Sequence, residues 1–105
     1  PTLAVSGDGT LGMLWFDLRH YAAGASALNT DVWYSASKDR GAHWTEFHAA
    51  GPFDLRQAPV SRYGPFIGDY MGMVGLPDGF GAAFVMARPQ SRNGPTDVFF
   101  SKIAA

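Results

Sequence analysis

The 105-residue sequence contains no cysteine, which excludes a disulfide framework, a thiolate zinc site and a thiol nucleophile. Charged residues are also scarce, at 16% of the chain, and the formal net charge is only −1. A basic nucleic-acid footprint and a polybasic membrane patch are therefore not expected. No apolar run approaches the roughly 20 residues of a membrane-spanning helix. Several common binding classes are thus excluded before any motif is considered.

Metal and helix signals are missing as well. Only three histidines are present, His20, His43 and His48, and their spacing matches no HExxH-type motif. We therefore expect no metal site and no cofactor. No segment combines an amphipathic helical period with suitable caps, although hydrophobic residues make up 47% of the chain. The low charge and high apolar content predict an all-β structure.

Short β-branched and aromatic runs, separated by glycine-rich turns, dominate what the sequence does contain. Gly7-Asp8-Gly9 and Pro77-Asp78-Gly79 predict tight turns, because glycine reaches positive φ without strain. Residues 49–65 are rich in proline and predict a long connection. Seven strands are predicted, at Leu3–Ser6, Leu11–Leu18, Asp31–Ala36, His43–His48, Phe66–Leu76, Phe80–Ala87 and Asp97–Ile103.

The two halves of the chain resemble each other. Leu11–Arg19 aligns with Phe80–Arg88 at an offset of 69, and Asp31–Ser35 aligns with Asp97–Ser101 at an offset of 66. Repeats of four short antiparallel strands are typical of propeller blades. We therefore predict roughly one and three-quarter blades of a β-propeller. Residues 1–50 form the first blade, 51–65 an inter-blade loop, and 66–105 a second, incomplete blade.

One motif is more specific than the repeat. Residues 37–44, Ser-Lys-Asp-Arg-Gly-Ala-His-Trp, fit the pattern S-x-D-x-G-x-x-W at every defined position. Ser37 and Asp39 have the side chains that hydrogen-bond to a turn backbone, and Gly41 tolerates a left-handed conformation. Trp44 is expected to pack back against the strands. These four residues therefore predict a structural hairpin turn between the third and fourth strands.

This motif resembles the Asp-box of BNR-repeat, sialidase-like β-propellers, and the chain resembles a C-terminal-type fragment of such a protein. Phrases that are similar to those of secreted bacterial members lie at Trp15–Arg19, Thr30–Ser35, Phe66–Tyr70 and Asp97–Ser101. The resemblance implies a secreted or cell-envelope location, a carbohydrate ligand, and contact with neighbouring propeller blades or with further copies of the chain. It implies neither a nucleic-acid partner nor a membrane partner.

Two functions remain open on this resemblance. The first is a structural or glycan-recognition role without a complete active site. The second is part of an exo-α-sialidase, a glycoside hydrolase whose remaining catalytic groups lie on absent blades. Fold alone does not decide between them.

The candidate site residues also follow from the resemblance. Sialidases bind the substrate carboxylate with an arginine cluster, which implies a substrate-binding role for Arg19 and Arg88. They use a tyrosine nucleophile paired with a glutamate, and an aspartate acid, which implies Tyr70, Asp69 and Asp17 as catalytic candidates. Alternating strand direction places all five at the loop-rich end of the blades, opposite the Asp-box turn.

Structural roles compete with these catalytic ones. The single glutamate, Glu46, follows the Asp-box and is expected a strand length away, so that a tyrosine–glutamate pair cannot form. Arg19 and Arg88 are expected to form strand-end ion pairs with Asp17 or a neighbouring carboxylate. Asp69 and Tyr70 are expected to hydrogen-bond to the inter-blade loop. Three large aromatic residues are expected in the core, namely Trp15, Trp33 and Phe84.

Overall fold

The computed structural model describes residues 1–105 as an all-β chain with antiparallel sheets, none of them closed. The first sheet has four strands in the order β1–β2–β3–β4, and the second has three in the order β7–β8–β9. A small hairpin, β5–β6, lies between them in sequence. The strands are β1 Thr2–Val5, β2 Leu11–Asp17, β3 Asn29–Ser37, β4 Thr45–Asp54, β5 Val60–Ser61, β6 Gly64–Pro65, β7 Gly72–Leu76, β8 Gly79–Ala87 and β9 Thr96–Ala104.

The all-β prediction is confirmed. The one helical element is a 3₁₀ turn at Leu55–Gln57, where Asp54 accepts a hydrogen bond from the backbone of Arg56. The chain contains no helix that could span a lipid bilayer. The seven predicted strands all contain observed strand residues, and five of them agree with the observed bounds to within two residues at each end.

The fourth strand is longer than predicted and begins later. It runs from Thr45 to Asp54, through Gly51 and Pro52, and so passes the expected end of the first blade at residue 50. The glycine has a φ of 95° and the Gly51–Pro52 peptide bond is cis. The register against β3 shifts between Thr30 and Trp33, which absorbs this irregularity. Since β4 lies at a sheet edge, a proline is tolerated there.

The predicted strand Phe66–Leu76 is wrong over its first half. The strand begins at Gly72, and residues 66–71 are irregular. Pro65 ends the short hairpin β5–β6, and Gly68 adopts a φ of 102°, which an extended strand does not allow. The hairpin itself lies inside the segment 49–65 that the sequence predicted as a long connection.

The core lies between the two sheets. Six buried residues form it, namely Leu14, Val32, Tyr34, Phe80, Ala82 and Phe84. Alternate residues of each strand point to opposite faces, so these six occupy the faces that the two sheets turn toward each other. Tyr34 lies 5.8 Å from Phe80, centroid to centroid, and crosses the interface.

The first strands of the two sheets approach each other most closely. The backbone N–H of Gly7 donates to the carbonyl of Leu76 at 2.7 Å. At Gly75, a Cβ atom would lie 1.8 Å from the carbonyl oxygen of Val5. At Gly12, a Cβ atom would lie 2.6 Å from the ring of Phe80. Glycine is required at position 75 because the backbone of β1 occupies the space of a side chain, whereas at position 12 a side chain would displace the Phe80 ring.

Candidate functional site

The turn between β3 and β4 has a dense hydrogen-bond network around one aspartate. Asp39 Oδ1 accepts from the Ser37 hydroxyl at 2.9 Å and from the backbone N–H of His43 at 2.8 Å. Ser37 Oγ in turn accepts from the backbone N–H of Gly41 at 2.8 Å. Bonds from the backbone and ring of His43, and then from Ser37, lower the pKa of Asp39. The turn is therefore closed by its own side chains, as the motif predicts.

Two further features complete this turn. Gly41 has a φ of 91°, the left-handed conformation that its position in the motif predicts. Trp44 Nε1 donates to the carbonyl of Gly41 at 3.1 Å, and its side chain remains 40% exposed. Trp44 thus folds back onto the turn rather than into the core between the sheets.

A second turn of the same kind lies between β1 and β2. Asp8 Oδ1 accepts from the Ser6 hydroxyl and, at 3.0 Å, from the backbone N–H of Thr10. These bonds, with Ser6 contributing most, lower the pKa of Asp8 to about 2. Sequence reasoning identified only the glycines here. The signal for the network is the Ser-x-Asp spacing, which Ser6 and Asp8 share with Ser37 and Asp39.

These carboxylates make stability depend on acid pH. Because the pKa of Asp8 falls from 3.8 to about 2 on folding, its contribution is complete above 3.8 and is lost as the pH falls toward 2. The free energy of unfolding, measured by urea titration between about pH 5 and 2, should therefore decrease less steeply with falling pH in Asp8→Asn than in the wild type. Asp78→Asn, in the turn between β7 and β8, is the matched control. The same pH dependence of the unfolding free energy in the wild type and in Asp8→Asn would contradict the prediction.

Arg19 lies on the face of the first sheet that points away from the second sheet. Its guanidinium bonds to Asp17 and Glu46, and it lies 3.8 Å from the centre of the Trp33 ring. The bonds to Glu46 and then to Asp17 raise the pKa of Arg19. Burial raises the pKa of Asp17, but its bonds from Arg19 and Trp15 outweigh this and lower it overall. The expected Arg19–Asp17 ion pair is therefore confirmed.

The expectation that Glu46 lies out of reach of Arg19 is wrong. Glu46 pairs with Ser35 in the β3–β4 register, two residues along β3 from Trp33. The Arg19 guanidinium lies over the Trp33 ring and also bonds to Glu46, so the long arginine side chain spans this distance along the sheet. The alternating strand direction correctly predicted the end of the sheet at which the backbone of each residue lies. It took no account of the length of the arginine side chain.

Beside Arg19 lies a buried carboxylate that sequence reasoning missed. Asp31 is fully buried, and its two oxygens bond separately to His20 Nδ1 at 3.0 Å and His48 Nε2 at 2.7 Å. Both imidazoles contact the ring of Trp33, at centroid distances of 5.9 and 5.1 Å. Asp31 thus joins the loop after β2 to the edge strand β4. The histidines lie 28 residues apart in sequence, so spacing gave no signal.

The other candidates lie apart from this cluster. Arg88 forms an ion pair of 3.6 Å with Asp97 within the second sheet, as expected of a strand-end arginine. Tyr70 is 90% exposed, and neither its phenol nor the Asp69 carboxylate forms a hydrogen bond. The expected bonds to the inter-blade loop are therefore absent. Tyr70 and Asp69 line a small pocket of 190 Å³ with Phe16.

The three aromatic residues expected in the core differ in burial. Phe84 is 3% exposed and belongs to the core between the sheets. Trp15 and Trp33 are half-buried on the outward face of the first sheet, where Trp15 Nε1 donates to Asp17 at 3.2 Å. Both tryptophans therefore lie outside the core, which corrects the expectation.

The structure therefore does not assemble the candidate residues into one site. Arg19, Asp17 and Glu46 form a cluster on the first sheet, whereas Arg88 has its partner in the second. Tyr70 has no base within hydrogen-bond reach. Comparisons with protein-family models, curated proteins and solved structures found no match to this chain.

Proposed function

We propose that this chain forms two neighbouring blades of an Asp-box, sialidase-like β-propeller and serves a structural or glycan-recognition role in a secreted or cell-envelope protein. The main support for the proposal is that residues equivalent in the sequence repeat also pair with each other in the same way in the two sheets. Leu14 pairs with Tyr34 in the first sheet, and Ala83 pairs with Phe100 in the second. These pairs are equivalent in the sequence alignment of the two halves.

The relative placement of the sheets supports the same proposal. The first strands, β1 and β7, are in contact at Val5 and Gly75. Farther out, a cleft of about 610 Å³ separates Phe47 on β4 from Ala104 on β9. Two sheets that converge at their first strands and diverge at their last have the wedge form that blades around a common axis require.

The side chains that remain for recognition are few and dispersed. Arg19 is saturated by Asp17 and Glu46, so its charge is already compensated within the chain. Arg88 is 59% exposed and has one long ion pair, which leaves it the freer of the two for an anionic sugar. This distribution supports a structural role with at most part of a glycan site.

A second candidate function is part of an exo-α-sialidase. One observation favours it: Glu46 and Arg19 lie in contact, so two of the residue types that such a site needs are adjacent. The position of Tyr70 relative to Glu46 argues against this second function. Tyr70 lines the same small pocket as Phe16, which faces the second sheet, whereas Glu46 lies on the opposite face of the first.

We expect the purified chain not to hydrolyse a sialoside. A phenol requires a base within hydrogen-bond reach to act as a nucleophile at neutral pH, and Tyr70 has none. Release of 4-methylumbelliferone from its sialoside is the measurement, with Tyr70→Phe as the test variant. Tyr63→Phe is the matched control, since Tyr63 is 83% exposed on the β5–β6 hairpin. Turnover that Tyr70→Phe abolishes and Tyr63→Phe retains would establish the second candidate instead.

A further inference from the structure

Each sheet has exposed apolar residues on the face that points away from the other sheet, and on the first sheet they lie beside the Arg19 cluster. On the first sheet this outward face carries Leu3, Val5, Leu11, Met13 and Trp15, and Leu3 and Val5 are 57% and 54% exposed.

On the second sheet the outward face carries Val74, Ala83, Val85, Val98 and Phe100. Val98 and Phe100 are 75% and 72% exposed. Such exposure of contiguous apolar residues indicates an interaction surface.

The outward face of the second sheet is equivalent to the inner face of the first. At the offset of 66 residues, Val32 corresponds to Val98 and Tyr34 to Phe100. Val32 is fully buried and Tyr34 is 3% exposed, because the second sheet covers them. Val98 and Phe100 occupy the same positions in their own sheet, but no sheet covers them.

The outward face of the first sheet is equivalent to the inner face of the second. At the offset of 69, the core residues Phe80, Ala82 and Phe84 correspond to Leu11, Met13 and Trp15. Leu3 pairs with Met13 as Met73 pairs with Ala82, so Leu3 corresponds to Met73, which packs against the core. The two outward faces are therefore the two halves of the interface that the chain already contains.

From this equivalence we infer that a second copy of the chain docks head to tail, with its first sheet against the second sheet of its neighbour. The inference rests on the proposed pairing of two equivalent blades. Such an interface is heterologous: different surfaces of the two copies meet, so the assembly keeps one free surface at each of its two ends. An isologous dimer would instead bury the same face of both copies.

The test uses two variants that each block one face. Leu3→Lys places a charge on the first sheet and Phe100→Lys places one on the second. Both side chains are largely exposed, so we expect both variants to fold, which circular dichroism checks. We expect the wild type to associate in a sedimentation-velocity concentration series, and each variant to weaken association about tenfold or more. Val60→Lys, at a 79% exposed position on the β5–β6 hairpin, is the matched control and should associate as the wild type does.

A mixture of the two variants distinguishes the heterologous interface from the isologous one. The Phe100→Lys copy retains an intact first sheet and the Leu3→Lys copy retains an intact second sheet, so the mixture should form a one-to-one dimer. A monomeric wild type, a variant that associates as the wild type does, or a mixture without the dimer would each overturn the inference. None of these outcomes alters the pairing of the sheets within one chain, which the contact at Gly75 tests separately.

Discussion

We expect Gly75→Ala to lower the free energy of unfolding by about 3 kcal/mol, at the upper end of the range for overpacked interiors. The added Cβ would lie 1.8 Å from the carbonyl oxygen of Val5 and 2.7 Å from its carbonyl carbon. Because these atoms belong to a backbone, they cannot rotate away as a flexible side chain does. The strands β1 and β7 must therefore separate, which opens the core between the sheets. Urea denaturation followed by tryptophan fluorescence measures the effect.

Gly72→Ala is the matched control on the same strand. A Cβ at this position meets no atom within 4 Å, and Gly72 does not have a positive φ. We expect its unfolding free energy to stay within about 0.5 kcal/mol of the wild type. If the two variants were equally stable, the close contact between β1 and β7 would be refuted, and with it the wedge arrangement of the sheets.

We expect Asp31→Asn to lower the free energy of unfolding by about 2 kcal/mol, the largest effect after that of Gly75→Ala. The carboxylate of Asp31 is fully buried and accepts one hydrogen bond from each of two imidazoles. An amide offers one acceptor oxygen and one N–H donor, so the bond to His20 or to His48 is lost or must reverse. Thermal or urea unfolding of the variant measures the cost.

Asp97→Asn is the control that the repeat itself provides, because Asp97 is the equivalent of Asp31 in the second sheet. Its side chain is 22% exposed and bonds to Ser91 and to the exposed Arg88. Ion pairs at such positions contribute roughly 0–1 kcal/mol. A larger loss at Asp97 than at Asp31 would show that the two histidines do not stabilise the buried carboxylate.

The features that the sequence predicted well are local ones. The turn from Ser37 to Trp44 forms because its hydrogen bonds join residues no more than four apart, so four residue types suffice to specify it. The strands β2, β3, β8 and β9 lie within three residues of their predicted bounds, because each is a continuous apolar or alternating run. The repeat likewise predicted which strands are equivalent.

The errors arose where contacts distant in sequence decide the outcome. Strand β4 continues through Gly51 and Pro52 because β3 supplies hydrogen-bond partners as far as Asn29, which no local pattern indicates. The Arg19–Glu46 pair joins residues 27 positions apart, across the ring of Trp33. Neither contact is visible in residue spacing.

The sequence by itself determined the all-β class, the turn around Asp39 and the equivalence of the two halves, since each depends on residue type and spacing within short segments. Only the tertiary structure decided which aromatic side chains are buried, that Asp31 lies between His20 and His48, and that Tyr70 forms no hydrogen bond to a base. These follow from how the two sheets pack and from how far each side chain reaches across a neighbouring strand. Packing joins residues that the sequence separates, and it is packing that places the candidate residues in separate clusters.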